Sequence, residues 1–272
     1  MAPITRADFE AHLQQLPNGE WLALLGEYEM SSVFQPIFTH DLNLYGFEAL
    51  LRVKDKNGSW IRPDLFLSNQ EFDEDTRLSA EMLSRVIHLR NFAQFYSGSD
   101  INIFLNIIPS ALVSYNRYVD SISNDKTHQL LRTRLKELNI NIDRVVLEIV
   151  EQDCHETEEL TRLIAKIRTR GYQLAIDDFG AGSSNHSRVK LAEPDIIKIG
   201  RSLLVSYSEG DVTPMLEAIE IAVTNKALVL IEGIETAEQM ESLNSLPIAY
   251  YQGYHLGKPE HLSHWSERYP KQ

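Results

Sequence analysis

Three stretches between residues 144 and 199 decide the fold: Arg144-Val145-Val146-Leu147-Glu148-Ile149-Val150, Tyr172-Gln173-Leu174-Ala175-Ile176-Asp177-Asp178 and Asp195-Ile196-Ile197-Lys198-Ile199. Each is a short apolar run rich in Val, Ile and Leu, the signature of a buried strand. Each ends on, or beside, a charged residue. A segment of helical period separates the first two, at 156–169. Working outward, the same alternation predicts strands at 33–38, 46–53, 102–107, 144–150, 172–177, 195–199, 227–232 and 249–252, with further helices at 75–95, 213–224 and 236–243. Eight strands with intervening helices predict an α/β fold, a barrel of the (β/α)₈ kind. A doubly wound open sheet is the fallback. Residues 1–30 are predicted as a short N-terminal helical extension. Phe9, Leu13 and Leu16 repeat at helical spacing there, and Pro17-Asn18-Gly19 interrupts them. The barrel domain is assigned to 31–272, with no linker of Pro, Gly and Ser inside it.

Composition sets limits on partners. With 43% apolar and 24% charged residues in a chain of 272, global disorder is excluded, and a core of ordinary size needs no disulfide. Lys and Arg number 26 against 39 Asp and Glu, giving a net charge of −13. Such a chain repels polyanions, so a nucleic-acid polymer or an anionic membrane surface is not expected as partner. A small anion remains admissible wherever something locally positive receives it. The single cysteine, Cys154, permits no internal disulfide and fits a reducing compartment. Met1 to Asp8 lacks the basic start and apolar stretch of a signal peptide, and the longest apolar runs are too short to cross a bilayer. A cytoplasmic location without a membrane segment is the expectation.

The chemistry lies where the apolar runs end. Leu105-Asn106, Leu147-Glu148, Ile176-Asp177-Asp178, Ile197-Lys198, Ile231-Glu232 and Tyr251-Gln252 each put a polar group near a strand's C-terminal end, and Glu48 does the same within 46–52. Side chains alternate across a strand, so Glu148 faces inward if Leu147 and Ile149 face the helices, and Lys198 faces inward by the same parity. In a barrel these groups converge at the C-terminal mouth. Glu48, Glu148 and Asp177, with the Asn106 amide, cannot stay ionised together without a cation. Oxygen donors of this kind suit Mg²⁺ or Mn²⁺. The adjacent Asp177-Asp178 pair could serve two ions, a pattern suited to in-line displacement at phosphorus. Periodicity alone leaves an enolase-like barrel, with proton abstraction beside a carboxylate, equally open. Asp177-Asp178-Phe179-Gly180 also suggests a kinase metal loop, but no Gly-rich phosphate loop accompanies it.

Taken in order, the motifs resemble the EAL-domain family of cyclic di-GMP-specific phosphodiesterases, from about Phe34 to Pro259. They are Phe34-Gln35-Pro36-Ile37, Glu48-Ala49-Leu50 within 46–52, Leu105-Asn106-Ile107, Leu147-Glu148-Ile149-Val150-Glu151, Asp177-Asp178-Phe179-Gly180-Ala181-Gly182, Asp195-Ile196-Ile197-Lys198-Ile199, Glu232-Gly233-Ile234-Glu235 and Gln252-Gly253-Tyr254. The resemblance implies a modified TIM-like barrel whose first strand runs antiparallel to the rest. It also implies hydrolysis of cyclic di-GMP to linear pGpG with Mg²⁺ or Mn²⁺, two ions being expected and Ca²⁺ inhibitory. By motif position, Glu48, Asn106, Glu148 and Asp177 would bind the first metal, with Asp177 bridging to a second held also by Asp178. Lys198 would steady the attacking water or the phosphate charge, and Glu232 would assist as base or outer partner. Gln35, Arg52 and Gln252 would contact the ligand. Glu151 and Glu235 would support the loop after Asp178. The family often works as dimers, so a homodimer is a further expectation.

Four positions depart from the family's pattern. Gly200 stands where Asp is usual, Val150 where Thr is, Ile108 where Ser is, and Ser183 where an aromatic is common. The carboxylate missing at Gly200 leaves two readings: an active phosphodiesterase of reduced rate, and a cyclic di-GMP receptor or protein-interaction module without turnover.

Overall fold

A computed structural model of the chain describes residues 6–122, 130–150, 157–180 and 185–271. Glu151, Cys154 and Ser183 lie outside the described residues. The strands are β1 (Leu13–Gln15), β2 (Trp21–Leu25), β3 (Tyr28–Thr39), β4 (Leu44–Lys54), β5 (Trp60–Ile61), β6 (Asn102–Ile107), β7 (Val145–Ile149), β8 (Gln173–Phe179), β9 (Ile196–Ile199), β10 (Leu228–Ile231) and β11 (Tyr250–Tyr251). All eight expected strands are present. From β4 through β6, β7, β8, β9 and β10 to β11 each neighbour is parallel. β3 closes the ring by pairing antiparallel with both β4 and β11. The result is a (β/α)₈ barrel with an antiparallel first strand.

The strands read as near-continuous apolar runs because both their faces are buried. Outward residues such as Leu147, Ile176, Ile197 and Val229 pack against helices Glu74–Tyr96, Thr157–Thr169 and Thr213–Thr224 through Phe92, Leu163, Ile167 and Ile219. Inward, Ile37, Phe104, Val146, Ala175, Ile196 and Leu230 form a separate apolar layer, flanked by Tyr45 and Tyr250. The two tyrosine rings stack with centroids 4.0 Å apart. Each of the eight barrel strands thus gives one side chain to a floor beneath the mouth.

The N-terminal segment corrects an expectation. The described part of the predicted helical extension, residues 6–30, is not helical throughout: one short helix, Arg6–Glu10, is followed by β1 and β2, which pair antiparallel. β3 begins at Tyr28 and pairs with β2, so the sheet runs through residue 30 without a break. Phe9 and Leu13 stand at helical spacing, yet they reach the same cluster of Met30, Val53 and Leu83 from two different elements. Gly19, at φ +88°, makes the turn that folds β2 back on β1.

A second departure from simple alternation lies between β8 and β9. Ile176 pairs with Ile197 and Phe179 with Ile199, so Asp177 and Asp178 together oppose Lys198 alone. Two residues facing one is a β-bulge. Asp178 takes a left-handed backbone there, at φ 50°. Under strict alternation one of two adjacent aspartates would turn to the helices. The bulge lets both stay at the mouth.

Candidate active site

Above the apolar floor, each strand of the barrel contributes one polar side chain: Gln35 from β3, Glu48 from β4, Asn106 from β6, Glu148 from β7, Asp177 from β8 and Lys198 from β9, with Glu232 and Gln252 just past β10 and β11. Gln35 and Glu48 are register partners, as are Asn106 and Glu148. The ring is deep, with Glu148 and Lys198 fully buried and Gln252 2% exposed.

Lys198 is its centre. The Nζ lies 2.6 Å from Glu148 Oε1, 2.8 Å from Asp177 Oδ1, 2.8 Å from Glu232 Oε1 and 3.3 Å from Glu48 Oε2. Four carboxylates share one ammonium, leaving a formal charge of −3. Glu48 is further held by Asn106, whose Nδ2 donates to Oε1 at 3.2 Å, and by Gln252, whose Nε2 donates to Oε2 at 2.8 Å. Like charges about 4 Å apart repel by about 4 kcal/mol at an effective dielectric near 20, so such a ring resists full ionisation. Burial, then the neighbouring Glu48 charge, pushes the Glu148 carboxyl well above its ordinary range. Burial, only partly offset by Lys198, pushes Glu232 up to about 8. Burial alone would lower the Lys198 ammonium, but Asp177, Glu148, Glu232 and Glu48 overrule it and hold the pKa well above the ordinary lysine value.

The donor set fits a hard divalent ion by its chemistry. Glu148 is fully buried, and its Oε2 has no hydrogen-bond partner among the described residues, while Oε1 lies 2.6 Å from the Lys198 ammonium. The ammonium has three protons for four carboxylates at 2.6–3.3 Å, so it cannot satisfy them all at once. Among the described residues, no three His, Cys, Asp or Glu side chains stand ready as a metal shell. The carboxylates surround the Lys198 ammonium at 2.6–3.3 Å.

The remaining predicted residues fall around this ring. The Asp178 carboxylate is at the rim, where a Cβ on Gly200 would lie 3.2 Å from its Oδ1. Gly200 is also the N-cap of helix Arg201–Ser208, without a capping side chain. Arg52 is half-buried on the same face of β4 as Glu48. One of its amino groups donates to the Leu51 carbonyl at 2.9 Å, and among the described residues no carboxylate pairs with it. Gln35 donates to the Gly257 carbonyl at 3.1 Å. Glu235 forms a fork with Arg201 at 3.1 and 2.7 Å on the exposed side. The loop it was expected to support includes residues 181–184, outside the described residues.

Sequence reasoning named Lys198, Glu232 and Gln252 but left three features of this site unstated. Lys198 was expected to steady the attacking water or the phosphate charge, and in this structure it is also the hub of the carboxylates. Glu232 and Gln252 are fixed by close backbone approaches: a Cβ on Gly233 would lie 2.5 Å from Arg201 Cβ, and one on Gly253 2.1 Å from the Ile234 carbonyl oxygen. Arg201, the third, packs its stem on Gly233 while its guanidinium holds Glu235. The glycines after Glu232 and Gln252 were the available signal.

Comparison with known proteins agrees with the barrel fold. The family described as EAL domain matches residues 19–259. A probable cyclic di-GMP phosphodiesterase of Escherichia coli K12, PdeB, is 30% identical over 240 residues, covering 87% of this chain and 44% of that protein. The cyclic di-GMP phosphodiesterase PdeA of Borreliella burgdorferi is 29% identical over 221 residues, covering 78% and 31%. The chain therefore spans less than half the length of either relative. Among solved structures, Bacillus subtilis YkuI, a protein with an EAL domain crystallised with cyclic di-GMP and calcium, superposes with a TM-score of 0.69 at 26% identity, over 85% of this chain and 55% of that one.

Proposed function

The chain belongs to the EAL domain family, and from that premise we propose that it hydrolyses one phosphodiester bond of cyclic di-GMP to give linear pGpG, using two Mg²⁺ or Mn²⁺ ions. The observation that carries this reading is the buried ring of oxygen donors, with Glu148 Oε2 in its midst lacking a hydrogen-bond partner among the described residues. Glu48, Asn106, Glu148 and Asp177 are the residues to hold the first ion, and Asp177 with Asp178 the second. Bound there, the ions supply Lewis acidity and a lowered water pKa for in-line displacement. The water oxygen joins phosphorus, one ester oxygen leaves, and the proton lost by water ends on the leaving oxygen.

The chain's own groups fill the other roles. Lys198 carries positive charge at the place where the phosphorane gathers negative charge. Glu232 lies 2.8 Å from that ammonium, and its raised pKa of about 8 suits a carboxylate that receives a proton and passes it on. Arg52, with no carboxylate partner among the described residues, offers a charge-assisted hydrogen bond to a phosphate oxygen. Gln35 and Gln252 orient the ligand at the wall. In this reading the protein works in the cytoplasm, with cyclic di-GMP as its ligand and a homodimer as its assembly. Gly200 favours the second reading, a receptor that binds without turnover, because it removes a carboxylate from beside Asp178.

A turnover assay with Mg²⁺ and with Mn²⁺, following pGpG, decides between them. Product in either metal is expected. No product in both, together with tight binding of cyclic di-GMP in Ca²⁺, would establish the receptor instead.

A further inference from the structure

We propose that Lys198 is the built-in counter-cation of the metal-free protein: it holds the carboxylate ring closed when no divalent ion is bound, and it must surrender carboxylates for one to enter. The second half of this inference rests on the metal reading above; the first does not.

The argument starts from charge. The Glu48, Glu148 and Glu232 side chains are 9%, 0% and 17% exposed, and their cation within 4 Å among the described residues is Lys198. Its Nζ reaches all of them and Asp177 besides, at 2.6–3.3 Å. Removing the one cation within 4 Å of these carboxylates among the described residues leaves buried charge uncompensated, which is strongly destabilising. A lysine placed merely to touch substrate would stand at the rim, as Arg52 does, with one carboxylate neighbour at most. Lys198 instead comes from the middle of the polar layer, on the strand facing the Asp177-Asp178 bulge, where it can meet acids from both sides of the barrel.

Geometry adds the exchange. A divalent ion needs the Glu148, Glu48 and Asp177 oxygens that the ammonium now occupies, and three protons cannot satisfy four carboxylates. The ammonium is therefore a loosely directed partner. A harder, doubly charged ion can displace it from some of these acids while it keeps others, Glu232 among them. Metal affinity is then an exchange between two cations, lower than the acids alone would give.

The test uses the whole chain and two variants, Lys198→Met and Lys198→Arg, each prepared with Mn²⁺ present and then stripped with EDTA. Thermal unfolding is followed in EDTA, and Mn²⁺ binding is titrated by calorimetry. Lys198→Met should unfold roughly 5–10 °C lower than wild type in EDTA. Mn²⁺ should restore it, and should bind it roughly tenfold more tightly than wild type. Lys198→Arg, which keeps the charge, should recover most of the EDTA stability. A Lys198→Met protein that survives only with Mn²⁺ supports the inference. Equal unfolding temperatures in EDTA would overturn it, as would equal Mn²⁺ affinities for wild type and Lys198→Met. Should Mn²⁺ bind neither protein, the metal reading and the exchange fall together, while the EDTA comparison still judges the counter-cation alone.

Discussion

Glu48 shows how much one side chain can connect. Its carboxylate accepts from Asn106 and Gln252 and lies against Lys198, so it ties four strands of the barrel across the mouth. Glu48→Ala removes an oxygen donor and leaves two amides without their acceptor. Hydrolysis of cyclic di-GMP should fall by at least 100-fold, and Mn²⁺ binding should weaken with it; calorimetry and a pGpG assay read both. Wild-type turnover in this variant would contradict its assignment as a metal ligand. The Arg201–Glu235 fork is a different case, because both partners are largely exposed. Exposed pairs contribute about 0.2–1 kcal/mol, so Arg201→Ala should change global stability by less than about 1 kcal/mol in urea unfolding. At this scale the sequence was highly legible. Parity alone put Glu148 and Lys198 inside, and the order of motifs supplied the rest of the ring. What parity could not supply was distance: that Lys198 touches acids from four strands follows from barrel closure, which brings together residues 150 positions apart.

Elements set how rigidly those residues stand. The segment after β10 is trapped between Arg201 on one side and Gly253 on the other, where an added Cβ would come within 2.1–2.6 Å of the Ile234 backbone. Gly253→Ala therefore forces a strand end to move, and should cost roughly 2–3 kcal/mol in denaturant unfolding, with weaker Mn²⁺ binding because Gln252 and Glu48 move with it. Gly200→Asp tests the rim. Gly200 has the extended backbone of an N-cap, φ −67° and ψ 157°, so an Asp there could cap helix Arg201–Ser208. Its carboxylate would also meet Asp178. Without metal the two charges repel, and the unfolding temperature should stay level or fall. With Mn²⁺ it should rise above wild type, and turnover should rise with it. An unchanged response to metal would mean that Asp178 and Asp177 already suffice. Element boundaries were mostly readable, since buried parallel strands are apolar throughout. The bulge in β8 was not, because an Asp-Asp pair looks the same whether or not alternation is broken. Nor was the hairpin of β1 and β2: Phe9 and Leu13 satisfy a helical period by coincidence, and tertiary pairing with β3 overrides it.

Across the whole molecule, the acids of the ring shape the response to pH. An unfolded chain releases the Glu232 proton near the ordinary carboxylate value of 4.5, whereas the folded, metal-free protein holds it to about 8. Glu148 is raised in the same direction. Between those values the folded state binds more protons than the unfolded one, so stability falls as pH rises, by up to about 1.4 kcal/mol per pH unit for each extra proton. In EDTA the unfolding temperature should decline from pH 5 to pH 8. Saturating Mn²⁺ should flatten or reverse the slope, because the metal binds the deprotonated acids. A metal-free profile that rises over this range would contradict the buried ring. The acidic excess of the chain, −13, takes on local meaning here: on the proposed function, bound metal would offset the acids of the mouth and make it receptive to a phosphodiester.

The floor of Ile37, Phe104, Val146, Ala175, Ile196 and Leu230, sealed by the Tyr45–Tyr250 stack, has a consequence for traffic. On the proposed function, reactant, water and the spent dinucleotide would all pass one threshold, the mouth above this floor. A departing molecule that lingers there bars the next arrival, so accumulated pGpG should inhibit competitively with respect to cyclic di-GMP, and the pace of steady work should depend on how fast the threshold clears.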